Sequence, residues 1–142
     1  MRILIISSGS SGCVNPFVKA QADSLEKKGI NIQIWLIPYK GISGYLKSLK
    51  QLGRVIKYYK PNLIHAHYGL SGLLSNMQIK IPVITTYHGC DINVKQNRKY
   101  SYLSTLMSAD NIFVHPDLAA KVYCHKKQNI IPVGINIDIF KP

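Results

Sequence analysis

The sequence predicts an α/β domain with a doubly wound parallel sheet. Short β-rich runs alternate with helical patterns along the whole chain, which is typical of βαβ units. Most of these runs are apolar throughout, as expected of parallel strands that are buried on both faces. The chain has 142 residues, 46% of them apolar, which is enough for one domain with a hydrophobic core. These observations together predict a single Rossmann-like domain.

Six strands are predicted from the apolar runs. The first run lies at the N-terminus and ends in Ser and Gly residues just before a helix signal. It is therefore interpreted as a buried strand rather than a signal peptide. In chain order the predicted strands are Ile3–Ser7, Asn31–Ile37, Leu63–His67, Val83–Tyr87, Asn111–Val114 and Asn129–Pro132.

Five helices are predicted between these strands. Pro16 at the start of the first helix and Gly29 just past its end occupy the positions that these residues usually take. In chain order the predicted helices are Pro16–Lys28, Ser43–Tyr59, Ser71–Gln78, Tyr100–Ser108 and Asp117–His125. The second helix is expected to face the core with apolar residues at helical spacing, namely Ile42, Tyr45, Leu46, Leu49, Leu52, Ile56 and Tyr59.

The composition predicts an anionic partner and a cytoplasmic location. Lys and Arg number 18 against six Asp and Glu, a formal net charge of +12, which suits nucleic acid, an acidic membrane surface or phosphorylated ligands. The three cysteines are widely spaced and form no C-x-x-C pair, which indicates reduced thiols and no structural zinc site. No apolar stretch approaches the ~20 residues of a membrane span.

The predicted fold places ligands at the carboxyl ends of its strands. Three unusual loops lie there: Ser8–Asn15, His67–Gly72 and His88–Asn93. The first loop precedes a helix N-terminus, where free N–H groups favour anions, although it also suits a plain turn with a polar cap. It matches neither the dinucleotide nor the P-loop fingerprint. The substrate-binding candidates in the three loops are Gly12, Cys13, Asn15, His67, Tyr68, Gly69, Gly89 and Asp91.

Three histidines lie close to this end of the predicted sheet. His65 and His67 fall on the same side of one strand because side chains alternate there, and with His88 they resemble a three-histidine zinc site. The favoured interpretation is a hydrogen-bonded core residue for His65 and a cleft residue for His67. No metal is expected, since neither a fourth ligand nor a supporting pattern is visible.

The segment "YHGCDIN" is the strongest local signal for a reactive site. His88 can exchange hydrogen bonds with a substrate hydroxyl near neutral pH. Gly89 permits a sharp turn and the close approach of a ligand. Asp91 suits three roles: orienting the histidine, binding sugar hydroxyls, or capping the segment that follows. A hydrolase triad is unsupported, because no nucleophile elbow accompanies His88.

The second predicted helix carries a basic stripe opposite its apolar face. Its members are Lys47, Lys50, Arg54 and Lys57, at intervals of three or four residues. One interpretation is an ordinary solvated face. The other is contact with an anionic bilayer, because the stripe contains only basic charges.

The sequence resembles the N-terminal domain of family 4 glycosyltransferases, which have the two-domain GT-B architecture. The resemblance rests on "RILIISS", "NPFVKAQADSLEKKG", "PNLIHAHYG", "PVITTYHGCDIN" and "IIPVGINIDIFKP", in that order. It implies that residues 1–134 form an acceptor-binding domain. Residues 135–142 would then begin the linker to a C-terminal domain that binds a nucleotide-sugar.

The resemblance also implies roles for individual residues. Gly12 and Cys13 fall where family members often have a Gly-Gly pair near the donor phosphates. His88 matches the histidine beside the reacting sugar and would place and polarise the acceptor rather than act as a base. Asp91 matches the acidic position of the "HG-x-D" variant. Family members mostly transfer with retention of configuration and without a metal or other cofactor, using the nucleotide-sugar as co-substrate.

The expected activity is sugar transfer to a glycan or lipid-linked acceptor. The family's Glu-x7-Glu donor motif cannot occur here, because Glu26 is the only glutamate. The 142 residues are therefore expected to fold but not to turn over alone. The alternative is a stand-alone Rossmann-like module that binds nucleotides or anions. A nucleic-acid partner is not expected, since no known motif is present and the basic residues favour one helix face.

Overall fold

The computed structural model describes residues 1–9, 12–122 and 128–134, and its strands form one parallel sheet. The strands are β1 (Arg2–Ser8), β2 (Asn31–Ile37), β3 (Leu63–His67), β4 (Val83–Tyr87), β5 (Asp110–Phe113) and β6 (Gln128–Ile130). Their order in the sheet is β2-β1-β3-β4-β5-β6. The predicted fold class is confirmed, and every predicted strand matches an observed one to within two residues.

The helices follow the strands in alternation. They are α1 (Pro16–Glu26), α2 (Gly41–Tyr59), α3 (Gly69–Asn76), α4 (Cys90–Asn93), α5 (Lys95–Met107) and α6 (Pro116–Ala120). Helix α1 covers one face of the sheet, where Val18 packs with Ile3 and Ile5 of β1. The opposite face of β1 carries Leu4 and Ile6, which pack in one cluster with α2 and α3. The strand order reverses beside β1, so the chain is doubly wound.

Several predicted helix limits are wrong. Helix α3 begins at Gly69 rather than Ser71, and α5 begins at Lys95 rather than Tyr100. The first turn of α5 is polar, so it shows no apolar periodicity for a sequence pattern to detect. The short helix α4 lies inside the segment expected to be a loop. The predicted extension of the last helix to His125 reaches beyond the described residues, as does the predicted linker 135–142.

The predicted apolar face of α2 is correct except at two of its residues. Tyr45 and Leu52 are buried in the core, with Leu49, Ile56 and Tyr59 packed against it. Ile42 and Leu46 were expected to face the core, but they are 44% and 48% exposed. The buried face of α2 is centred on Gly44, Tyr45, Ser48 and Leu52, and at helical spacing Ile42 and Leu46 lie at the edge of that face, next to the basic side of the helix.

Helices α3 and α5 pack against each other through small residues. A Cβ atom added at Gly69 would lie 2.1 Å from the Ser101 Oγ, and one at Gly72 would lie 2.2 Å from the Ser104 Oγ. Only glycine permits this approach, because real Cβ contacts are not so short. Strand β4 joins the end of α5 through a hydroxyl pair, since the Thr85 Oγ1 and the Ser108 Oγ lie 2.8 Å apart in a buried hydrogen bond.

Candidate functional site

A cleft of about 520 Å³ opens at the carboxyl ends of the strands. It is bounded by the segments that follow β1, β3, β4 and β5, which is where doubly wound sheets bind ligands. Its lining residues are Asn15, Phe17, Tyr68, His88, Gly89, Cys90, Asn93, Val114, His115, Asp117, Leu118, Lys121 and Val133. Four residues predicted to bind substrate or take part in catalysis therefore reach the wall: Asn15, Tyr68, His88 and Gly89.

Two residues on the wall have unusual backbone conformations. Tyr68 has φ +73°, which is rare for a residue with a side chain, and Gly89 has φ +50°. The Tyr68 ring lies 4.8 Å from the His88 ring, centroid to centroid. Non-glycine residues with positive φ cost free energy and cluster at functional sites. The fold therefore holds Tyr68 against a conformational cost in a position beside His88.

Asn15 joins the first loop to the third strand. Its side-chain Oδ1 accepts a hydrogen bond from the Phe17 N–H and so caps α1. Its Nδ2 donates to the Tyr68 Oη over 3.0 Å. The polar cap expected of this loop is thus present, and the same side chain also fixes one edge of the cleft.

The three histidines form a stacked column. Ring centroids lie 4.6 Å apart for His65 and His67 and 5.2 Å apart for His67 and His88. His65 is buried and its Nε2 lies 2.8 Å from the Thr86 Oγ1, which confirms its interpretation as a hydrogen-bonded core residue. His67 is only 1% exposed, so the expectation that it reaches the cleft is wrong. It lies behind His88, with its Nδ1 3.0 Å from the His88 Nε2.

Burial keeps these imidazoles neutral. It lowers the pKa of His65 and of His88 to about 4, in His65 with a further contribution from His88. Burial and the two neighbouring histidines also hold the pKa of His67 well below its usual value. The column carries no charge at pH 7. Its His65 and His67 rings are stacked, and a hydrogen bond joins the neutral rings of His67 and His88.

The hydrogen bonding of His67 fixes which way His88 points its proton. The His67 Nε2 is buried without a partner among the described residues. A buried N–H without an acceptor is rarer than an unused acceptor, so the proton of His67 belongs on Nδ1, where it donates to the His88 Nε2. His88 must then carry its own proton on Nδ1. It presents a hydrogen-bond donor at the end of the column that reaches the cleft.

Asp91 lies behind the cleft wall and braces it. Its Oδ2 accepts a hydrogen bond from the Gly69 N–H and its Oδ1 accepts one from the His88 N–H, each at 3.0 Å. Burial raises the pKa of this carboxyl to about 6, and the N–H donors oppose that shift. Of the three roles considered for Asp91, a cap on the segment after it is not observed. The carboxylate instead caps the first N–H of α3.

Five residues predicted to bind substrate do not line the cleft. Their positions are Gly12, Cys13, His67, Gly69 and Asp91. Gly12 has φ +75° and its N–H donates to the Gly9 carbonyl, so its backbone serves the local conformation before α1. Gly69 is buried against α5, where it serves helix packing. The structure thus gives Gly69 and Asp91 supporting positions behind Tyr68 and His88.

Other residues of the wall were not predicted. His115 and Lys121 come from the segment after β5 and from the end of α6, while Cys90 and Asn93 lie in α4. The Lys121 Nζ donates to the Asn93 Oδ1 over 2.6 Å and links the two segments. The rule that places ligands at strand ends applies equally to β5, so that rule would have identified His115.

The basic stripe of α2 lies on the protein surface, as predicted. Lys47, Lys50, Arg54 and Lys57 are all exposed. Over the described residues, no three His, Cys, Asp or Glu side chains are arranged to hold a metal ion. No helix in the described part of the chain combines the length and hydropathy that crossing a membrane requires.

Comparison with known families gave one match over most of the chain. The profile of the family described as "Glycosyl transferase 4-like" matches residues 11–132. A comparison with proteins of curated function gave no significant match.

Solved structures share the fold at low sequence identity. Sucrose-phosphate synthase from Thermosynechococcus elongatus superposes with a TM-score of 0.84 at 16% identity, over 100% of this chain and 50% of that one. UDP-GlcNAc 2-epimerase from Methanocaldococcus jannaschii gives 0.63 at 14% identity, over 85% and 41%. The Neisseria meningitidis epimerase bound to UDP-GlcNAc gives 0.64 at 14% identity, over 92% and 45%. The chain spans about half the length of the synthase.

Proposed function

The chain belongs to the glycosyl transferase 4-like family of GT-B glycosyltransferases, and from that premise we propose that it is the acceptor-binding half of a retaining sugar transferase. The carrying observation is the position of His88. Its ring lies at the mouth of the column, on the wall of the cleft at the strand ends, with a proton available on Nδ1. The acceptor sugar or glycan would bind in this cleft.

His88 orients the acceptor rather than removing its proton. Its Nε2 is engaged by His67, so a bound acceptor meets the Nδ1–H, which donates to the attacking hydroxyl oxygen. The hydroxyl proton stays free to move to the departing phosphate of the nucleotide-sugar as the new glycosidic bond forms. Neutral His88 suits this role, because an imidazole that already holds its proton towards the substrate is not a base there.

The nucleotide-sugar is assigned to a second domain. This chain has a single glutamate and cannot supply the Glu-x7-Glu motif of the family. We propose that the nucleotide-sugar is a co-substrate, that no metal or other cofactor takes part, and that residues 1–142 do not turn over alone.

An anionic membrane is the proposed location of the acceptor. The α2 stripe is exposed, and α2 contains no acidic residue to neutralise it. Polybasic surfaces gain about 1 kcal/mol per Lys or Arg near an anionic bilayer. A lipid-linked acceptor presented at the cytoplasmic face would be consistent with this surface. The chain is expected to sediment with anionic vesicles but not with neutral ones. This binding should be lost when the four residues of the stripe are replaced by Gln.

The test of the transferase role compares His88→Gln with Asp23→Asn. Sugar transfer to alkyl glycosides is measured from a panel of nucleotide-sugars, using the native reading frame with any residues that follow Pro142. His88→Gln is expected to lower transfer at least a hundredfold, since it removes an aligned donor at the reacting centre. Asp23 lies exposed on α1, away from the cleft, and its variant should match the wild type. Normal transfer by the 142 residues alone would contradict the proposal.

A further inference from the structure

Helix α5 has its apolar side chains on the outside. Its buried residues are the small ones, Ser101, Ser104 and Thr105. Its exposed large apolar residues are Tyr102, Leu103, Leu106 and Met107, each between 38% and 47% exposed. An ordinary surface helix of a soluble domain has the reverse arrangement. The outer face of α5 is therefore an unpartnered apolar surface in the described part of the chain.

The outward position of these apolar side chains is explained by the close packing of α3 against α5. Gly69 and Gly72 bring the two helices so close that only small side chains fit between them. The apolar surface continues past the end of α3, where Met77 is 48% exposed and Ile79 is 94% exposed. This end of α3 lies beside the end of α5, because Asn76 donates to the Ser108 Oγ. The α5 patch is defined as Met77, Ile79, Tyr102, Leu103, Leu106 and Met107.

The charged residues next to the patch in the sequence are mainly basic. Twelve lysines and arginines lie between Glu26 and Asp110, and the one acidic residue between those limits, Asp91, is buried behind the cleft. Asp110 itself is partly exposed and accepts a hydrogen bond from the Asn129 Nδ2. Lys99 is exposed one turn before Leu103 on α5, and Lys80 follows Ile79 directly. An occupant of the patch must therefore be apolar and also accept a positive border.

An anionic bilayer meets both conditions better than a second copy of the chain does. Helix α3 packs against both α2 and α5, so the three helices are neighbours in one layer, and this layer carries both the basic stripe and the patch. Two copies joined through the patch would bring like charges together. Interfacial helices use this combination, with Lys at the headgroups and Leu, Met or aromatic residues below them.

We propose that the α5 patch inserts into the interfacial region of an anionic membrane. The α2 stripe supplies the electrostatic attraction, and the patch supplies the apolar contact that holds the domain at one depth. The inference rests on the proposed membrane contact of α2 and assigns a different set of residues to it. It also orients the domain, because the layer of α2, α3 and α5 then faces the lipid.

The experiment compares two single substitutions of equal charge. Leu103→Asp changes the patch, whereas Ile131→Asp changes a residue of similar exposure (53% against 46%) that follows β6 at the far edge of the sheet. Binding of the 142-residue chain to vesicles of phosphatidylglycerol and phosphatidylcholine is measured at 0.15 M salt. Leu103→Asp is expected to bind about tenfold more weakly than Ile131→Asp, from the lost burial of one apolar side chain. Circular dichroism checks that both variants are folded.

A second variant reports on depth without weakening the contact. In Leu103→Trp, lipids brominated in the acyl chain are expected to quench the fluorescence of the introduced Trp. The parent chain, whose only Trp is Trp35, gives the background quenching for comparison. Equal binding of the two Asp variants, with no extra quenching, would overturn insertion while leaving the stripe of α2 as an electrostatic contact. No binding of the parent chain to anionic vesicles would overturn both. Self-association that Leu103→Asp abolishes, without vesicle binding, would replace the membrane by a second copy.

Discussion

Replacing Gly72 by Ala tests the close packing of α3 on α5. The new Cβ would lie 2.2 Å from the Ser104 Oγ and 2.5 Å from the Thr85 Oγ1. Each contact is about 1 Å shorter than packed atoms allow, so α3 must move away from both neighbours. Overpacking of this kind costs about 1–3 kcal/mol or more, while Ala in place of a helical Gly returns about 1 kcal/mol. Because the new Cβ clashes with two side chains, the cost lies at the upper end of that range, and the expected net loss is about 2 kcal/mol of unfolding free energy.

The same substitution at Gly53 is the matched control. Gly53 lies within α2, and a Cβ there would have no atom within 4 Å. Gly53→Ala should therefore stabilise the chain by about 0.5–1 kcal/mol through helix propensity alone. Urea unfolding followed by Trp35 fluorescence and far-ultraviolet circular dichroism measures both variants. The double variant Gly72→Ala, Ser104→Ala should recover part of the loss, since it removes the hydroxyl at 2.2 Å.

Equal changes at the two glycines would refute this argument. Such a result would mean that α3 and α5 are not packed as described. The explanation given for the outward apolar face of α5 would then fail as well.

Three further predictions concern the histidine column and its surroundings. The unfolding free energy should fall as the pH drops from 6.5 to 4. Folding lowers the pKa of His65 to about 4, so the unfolded chain binds a proton in this range more readily than the folded one. The resulting stabilisation of about 3 kcal/mol is complete above pH 6.5 and is lost as the pH falls towards 4. Asp91 reduces this loss in part, because its raised pKa of about 6 makes the folded state bind a proton more tightly than the unfolded state. Urea unfolding should still give a lower stability at pH 4.5 than at pH 7.5. Equal stability at the two pH values would contradict the prediction. Nitrogen-15 NMR should find the proton of His88 on Nδ1, and His67→Phe should shift its tautomer equilibrium, whereas an Nε2 proton in the parent chain would exclude the assignment. Asn15→Ala should cost about 1 kcal/mol as a lost helix cap, measured by urea unfolding, and no loss would argue against the cap.

The strands were predictable because a strand that is buried on both faces has a short run of apolar and β-branched residues in the sequence. A short run of β-branched and aromatic residues such as "VITTY" has few alternatives in a βαβ pattern, and β4 matches it residue for residue. The start of α5 was not predictable in this way. Its first turn is solvated and polar, and the buried side of the helix consists of serine and threonine, so no apolar period marks it.

The candidate site was predictable only up to the order of the strands. Alternation along β3 places His65 and His67 together, and both lie on one side of the sheet. Their contact with His88 depends on β4 pairing next to β3, which the sequence does not specify. The bond between Asp91 and Gly69 was not predictable for the same reason. Gly69 is 22 residues away from Asp91 and meets it only through the fold.

The most direct test of the central claim is an NMR titration of the 142-residue chain with two classes of ligand. Alkyl glycosides stand for the acceptor, and nucleotide-sugars stand for the donor. The account predicts that glycosides shift the amide signals of Tyr68, His88 and Gly89, that His88→Gln removes this response, and that nucleotide-sugars produce no saturable change. Saturable binding of nucleotide-sugars without any response to glycosides would contradict the acceptor role and identify a nucleotide-binding module instead.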